Sequence, residues 1–187
     1  MTPDLYILRH GETVWNREGR MQGHLNAPLT DLGQEQALQQ GAVLAQRDLR
    51  GFAFYTSPLG RAVQTAGLAL GGVATEINTD SRLREIDVGA WQGQLRQSFA
   101  APGAIEGPDG DLSVYASAPG EGLAGVAARA RSFLADLDGP AVIVCHGIIS
   151  RFLRCAALGL EDAAWDQLPG GQGNVFYLHE GRAEELH

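Results

Sequence analysis

Apolar residues along this chain follow two rhythms: short unbroken runs of strand length, and longer stretches that repeat every three to four positions. Residues 5–8 read as a buried strand. After a polar loop, Pro28-Leu29-Thr30 introduces a helix, with Thr30 as N-cap and apolar positions at Leu32, Ala37, Leu38, Ala42 and Leu44. Residues 52–55, rich in aromatics, form a second strand. Ser57-Pro58 then supplies an N-cap and a proline at the first helical position, opening a helix through about Leu70. Residues 74–77 suggest a short third strand. From 93 to 120 the pattern dissolves into Gly, Pro, Ala, Ser and acidic residues, and the expectation there is a mobile loop or cover. Periodicity returns at Leu123, Val126, Ala130, Phe133, Leu134 and Leu137, the apolar face of a helix. A strand at 141–145, a helix through Leu158 and a last strand at 174–178 precede a short tail. No internal repeat, linker or low-complexity tract interrupts this order, so residues 1–187 are read as one domain.

Strand–helix alternation of this kind predicts an α/β sandwich with a mainly parallel sheet. Ligands of such sheets sit beyond the carboxyl ends of the strands. His10, the segment 57–61 and His146 each follow a strand directly, so three separate segments would bring polar groups to one edge.

Composition narrows the setting. With 187 residues, 44% of them hydrophobic, the chain suffices for one full core. No apolar run approaches the roughly 18 residues of a membrane span, and the first residues lack the features of a signal peptide. Cys145 and Cys155 make a disulfide framework implausible and favour a reducing, cytoplasmic setting, and Cys145 reads as a core residue. The formal charge of −8 argues against nonspecific binding to nucleic acid or an acidic membrane. All 14 basic residues are arginines, which we attribute to codon usage. A negative protein can still hold a small anion through a local arginine cluster, so the placement of the arginines matters more than their number.

Arg9-His10-Gly11-Glu12-Thr13 stands where the first strand gives way to a loop, and His146-Gly147 has a similar place after the strand at 141–145. Planar, multidentate arginine suits phosphate, and Arg9 and Arg61 lie just beyond strand ends, with Asn16 a neutral donor in the first loop. A neutral imidazole attacks phosphorus whereas a protonated one does not, and adjacent guanidinium favours the neutral form of His10. His146 is placed to hold the equatorial oxygens. His24, His179 and His187 read as surface or loop residues. Glu85, in Leu83-Arg84-Glu85-Ile86-Asp87, is a candidate acid for the leaving alkoxide, because burial between apolar neighbours would favour its protonated form; Asp87 and Glu12 compete, and spacing alone does not choose. No H-x-x-x-H, C-x-x-C or Walker loop occurs, and neither metal catalysis nor a nucleotide cofactor is expected.

These residues resemble the histidine phosphatase superfamily, which includes cofactor-dependent phosphoglycerate mutase and many small phosphatases. The likeness runs from Leu8-Arg9-His10-Gly11-Glu12-Thr13 through Trp15-Asn16, Gly19-Arg20-Met21-Gln22-Gly23 and Pro28-Leu29-Thr30 to Gly33. It resumes at Ser57-Pro58-Leu59-Gly60-Arg61-Ala62-Val63-Gln64-Thr65-Ala66, at Leu83-Arg84-Glu85-Ile86 with Gly89, at Trp91-Gln92-Gly93 and at Val144-Cys145-His146-Gly147. The resemblance implies a three-layer α/β/α sandwich with a mixed sheet and no metal. It implies His10 as the phosphorylated nucleophile, Arg9, Arg61 and His146 around the phosphate with Asn16 assisting, and Glu85 as proton donor. Asn26 departs from the Asp of many relatives, and Pro119-Gly120-Glu121-Gly122 matches only loosely a Gly-Gly-Glu-Ser stretch; both lie outside the expected catalytic core and bear on substrate preference.

Hydrolysis and mutase-type transfer share the first step and differ in whether water or a substrate hydroxyl receives the phosphoryl group. The cover at 93–120 is short, the chain ends soon after Leu178, and a loosely closed pocket admits water. The expectation is therefore a phosphatase acting on a small phosphorylated metabolite, Arg96 being the cover's one basic residue. A mutase and a non-catalytic phospho-ligand binding protein remain the alternatives, and self-association into a homo-oligomer is left open.

Overall fold

The computed structural model describes residues 2–100 and 112–187. In chain order its elements are β1 (Leu5–Arg9), α1 (Val14–Arg17), α2 (Asp31–Leu44), β2 (Ala53–Thr56), α3 (Gly60–Leu70), β3 (Asn78–Thr79), α4 (Gly122–Ala135), β4 (Ala141–Cys145), α5 (Gly147–Leu158), β5 (Val175–His179) and β6 (Arg182–Leu186), with short 3₁₀ turns between some of them. The strands make one sheet in the order β3-β2-β4-β1-β5-β6. β3, β2, β4 and β1 run parallel, while β5 and β6 close the other side as an antiparallel hairpin.

Side chains alternate across a strand, and here each face of the alternation is apolar. Leu5, Ile7, Ile143 and Cys145 point to one core, packed with Val126, Ala130 and Phe133 of α4 and Ile149 and Leu153 of α5. Tyr6, Leu8, Val142 and Val144 point to the other, packed with Val43 and Leu44 of α2 and Ala62, Ala66 and Leu70 of α3. The result is the expected three-layer α/β/α sandwich with a mixed, mainly parallel sheet. Cys145 is fully buried, and burial pushes its thiol up to about 12, which makes it a packing residue. Among the described residues no helix is long and apolar enough to cross a membrane.

Several boundaries differ from the sequence reading. The third strand lies at Asn78–Thr79, not at 74–77, because only two residues of this exposed edge pair with β2. Helix α3 starts at Gly60 with Leu59 as N-cap, so Pro58 is not its first residue and Ser57 is not its cap. α4 ends at Ala135, short of Leu137. The last strand is shifted by one residue, and the expected tail is instead β6, reached through a turn in which Glu180 (φ 49°) and Gly181 (φ 73°) are both left-handed. Two positive-φ central residues match the right-handed twist of a hairpin. Within the expected cover, residues 93–96 bond to Gly19, Arg20 and Met21 of the first loop, and Phe99 stacks on Trp91 at 4.0 Å. Val114 is buried and Tyr115 packs on the core, and the part of the expectation that concerns 101–111 lies outside the described residues.

Candidate active site

Strands β2, β4 and β1 are adjacent and parallel, so their carboxyl ends share one edge of the sheet. The ladder runs one residue past the strands: the His10 amide donates to the Cys145 carbonyl at 3.0 Å and the Ser57 amide to the Val144 carbonyl at 2.9 Å. His10, Ser57 and His146 therefore leave the sheet side by side. The two imidazoles, both buried, lie edge to face with centroids 5.1 Å apart.

The His10 Nδ1 lies 2.8 Å from the Gly11 carbonyl, which can only accept, so Nδ1 carries the proton. The Nε2 lone pair is left to accept from Arg61 Nε at 3.2 Å. Burial, followed by the charges of Arg61 and Arg9, holds His10 well below its ordinary pKa, against the opposing pull of its bond to Gly11. Burial, then Arg61 and His10, does the same to His146. Both rings are neutral at physiological pH. Burial lowers Arg61 itself to about 10, which leaves it charged there.

Each neighbour has an identifiable support. Arg61 is aimed by the carbonyls of Leu25 (2.7 Å) and Gly23 (2.9 Å). Its guanidinium neighbour Arg9 lies against Gly147 at the start of α5, 3.3 Å from where a Cβ on that glycine would stand. Glu85 points its carboxyl at the same helix start, accepting from the amides of Ile148 at 3.1 and 3.2 Å and Ile149 at 3.2 Å. Asn16 turns its Oδ1 to Thr13 and to the amide of Gln172, which also donates to the His10 carbonyl at 3.2 Å. His10, Arg9, Arg61, His146, Glu85 and Asn16, from four separate stretches of sequence, thus gather at one sheet edge. The rival carboxylates are engaged elsewhere: Glu12 with Arg17 and the Thr30 hydroxyl, Asp87 with the Gly89 amide.

The sequence reading passed over several supports. Ser57, expected as a helix cap, holds its hydroxyl 2.8 Å from His146 Nε2. Thr65 accepts from the Gly11 amide at 3.1 Å while donating to the Arg61 carbonyl, tying α3 to the nucleophile loop. Glu121 was placed outside the catalytic core, yet it accepts from the Asp87 amide at 2.9 Å and so reaches the Glu85 segment. His24 is a loop residue as expected, but half-buried, with Nε2 on the Glu85 carbonyl at 2.9 Å. Asn26 accepts from the Arg61 amide at 2.7 Å, near the α3 start that Ser57 does not cap. His179 pairs with Asp4, which precedes β1 at the opposite edge, and His187 is exposed. Among the described residues no group of three or more His, Cys, Asp or Glu side chains is arranged to hold a metal ion.

An α/β sheet edge lined by two neutral imidazoles and two guanidinium groups defines an enzyme of phosphoryl chemistry. Residues 5–184 match the histidine phosphatase superfamily (branch 1), and the chain belongs to that family. It is 38% identical to glucosyl-3-phosphoglycerate phosphatase of Mycolicibacterium vanbaalenii over 93% of this chain and 82% of that protein. The structure of mycobacterial glucosyl-3-phosphoglycerate phosphatase in complex with VO3 superposes with a TM-score of 0.80 at 33% identity, covering 98% of this chain and 96% of that one. A probable phosphoglycerate mutase of Salmonella paratyphi C is 44% identical over 85 residues, 46% of this chain and 39% of that protein.

Proposed function

We propose that this chain is a phosphatase that hydrolyses a small phosphate monoester through a phosphohistidine on His10. The observation that carries this reading is the His10 tautomer: Nδ1–H is bound to the Gly11 carbonyl, and the Nε2 lone pair faces Arg61. An incoming phosphorus displaces the Arg61 N–H from that lone pair, and the donor turns to a phosphoryl oxygen. Nε2 bonds to phosphorus as the ester P–O bond breaks, and Arg9, Arg61, His146 and the Asn16 amide hold the equatorial oxygens. Glu85 gives its proton to the leaving oxygen. Its carboxylate then takes a proton from water as water attacks the phosphohistidine, which frees inorganic phosphate and restores Nε2. No metal or other cofactor enters the scheme.

Relatives named glucosyl-3-phosphoglycerate phosphatase support a phosphorylated sugar or glycerate derivative as substrate. Two free, buried cysteines support a cytoplasmic setting. The test is to quench the enzyme during turnover of a ³²P-labelled monoester. An acid-labile, base-stable adduct should map to His10, and His10→Ala should show neither adduct nor turnover. Near-normal activity in that variant would refute the assignment. Turnover that depends on an added bisphosphorylated glycerate would move the protein to the mutase class.

A further inference from the structure

From α4, Arg129 grips the backbone of the segment carrying Glu85. Arg129 Nη1 donates to the carbonyls of Arg82 (2.5 Å) and Arg84 (2.6 Å), and Nη2 to the carbonyl of Glu85 (3.1 Å). Nη2 and Nε also fork onto the two oxygens of Glu121, each at 2.8 Å. All five N–H donors of the guanidinium are thereby used, three of them on the backbone at and just before Glu85. Glu121 completes the clamp from the other side through the Asp87 amide, at 2.9 Å. Burial acts to raise the Glu121 pKa, but the hydrogen bonds from Arg129 and the Asp87 amide outweigh it and hold Glu121 in its charged form.

The backbones on either side of this pair touch directly. A Cβ at Gly120 would lie 2.2 Å from the Asp87 carbonyl oxygen, and one at Gly89 would lie 2.9 Å from that of Pro119. The stretch 119–121 is therefore seated on 85–89, and Arg129 locks the contact. A simple anchor for α4 would be met by an apolar residue. A planar fork that addresses three carbonyls instead fixes the backbone path through Glu85, and proton transfer to a leaving group tolerates little displacement.

We propose that Arg129, paired with Glu121, is a positioning residue that holds Glu85 for protonation of the leaving group. The proposal rests on the reading of Glu85 as proton donor, and leaving-group dependence separates the two. A nitrophenolate leaves without a proton, whereas an alkoxide needs one. The measurement is kcat/KM for 4-nitrophenyl phosphate and for glycerol phosphate, with the ratio alkyl over aryl compared across variants. Glu85→Gln should lower that ratio by about a hundredfold, the scale of losing a general acid. Arg129→Met should lower it by roughly tenfold, the scale of a small displacement of the acid. Glu121→Gln, which keeps the size of the side chain and the Arg129 charge, should lower it in the same direction by a smaller factor.

A residue that merely holds the fold together affects both substrates in parallel. If Arg129→Met and Glu121→Gln leave the ratio unchanged while Glu85→Gln shifts it, the positioning role is overturned and the proton donor stands. If Glu85→Gln also leaves the ratio unchanged, the proton-donor reading falls and the proposal falls with it.

Discussion

Arg61 holds its place before any substrate arrives, with one Nη on Leu25, the other on Gly23 and its Nε on the nucleophile, while its side chain is almost wholly buried. A buried cation so arranged is a preorganised donor, because the protein has already borne its desolvation during folding. Arg61→Ala should therefore remove about 3 kcal/mol or more of transition-state stabilisation, read as a fall of at least roughly a hundredfold in kcat/KM on a simple aryl phosphate. Arg61→Lys should recover only part of it, since an ammonium cannot present a planar fork to two carbonyls and a phosphoryl oxygen at once. A loss of only twofold in the alanine variant would make Arg61 a packing residue. At this scale the sequence was readable where chemistry and position coincide: Arg-His-Gly after an apolar run names its own nucleophile. It gave no role beside the histidines to Ser57, Thr65 or Gln172, whose partners lie 89, 54 and 162 residues away and leave no local pattern.

Two glycines join the nucleophile loop to the start of α2. A Cβ on Gly11 would stand 2.0 Å from the Gly33 carbonyl oxygen, and one on Gly33 would stand 2.0 Å from that of Glu12. Neither obstacle is a flexible side chain, so the backbones must separate, and His10 lies beside one of them. Gly11→Ala should destabilise the fold by about 1–3 kcal/mol, as overpacking does, and lower activity in the fraction that remains folded. Gly67 on α3 is exposed, and no atom lies within 4 Å of its added Cβ. There alanine should stabilise by about 0.5–1 kcal/mol, because only the unfolded-state and helix-propensity terms remain. Urea midpoints of the two variants should move in opposite directions, and parallel shifts would refute this account of the loop. Strands β1 and β4 were legible because their apolar runs and their burial agree. Helix α2 was legible from its Thr30 cap, but its buried face was misread: Leu32, Leu38 and Ala42 are exposed, while Gly33, Gln40 and Val43 are buried with Ala37 and Leu44. β6 was missed because Arg182-Ala183-Glu184-Glu185 is polar and almost wholly exposed, a strand made by its hairpin partner and not by its own composition. β3 was misplaced for a related reason: as a two-residue exposed edge, it depends on the register of β2.

Burying two neutral imidazoles beside two arginines ties the stability of the whole molecule to pH. In the unfolded chain each histidine binds a proton near its ordinary value of 6.5, whereas in the folded protein His10 and His146 both titrate well below it. Between those limits the unfolded state holds more protons than the native one, so stability rises with pH. Their contribution is complete above about pH 6.5 and is lost as pH falls, at about 1.4 kcal/mol per unit for each histidine, or about 2.7 for both together. His179 works in the opposite sense, since its bond to Asp4 raises its pKa, but it is exposed and solvent screens most of that effect. The double variant His10→Gln/His146→Gln should consequently unfold in urea with a much flatter pH dependence between about 6.5 and 5, while the parent loses stability steeply across the same range. Equal slopes in the two proteins would mean that the rings are charged in the native state. A charged His10 has no lone pair to offer phosphorus, so this equilibrium measurement, made without any substrate, bears directly on the catalytic reading.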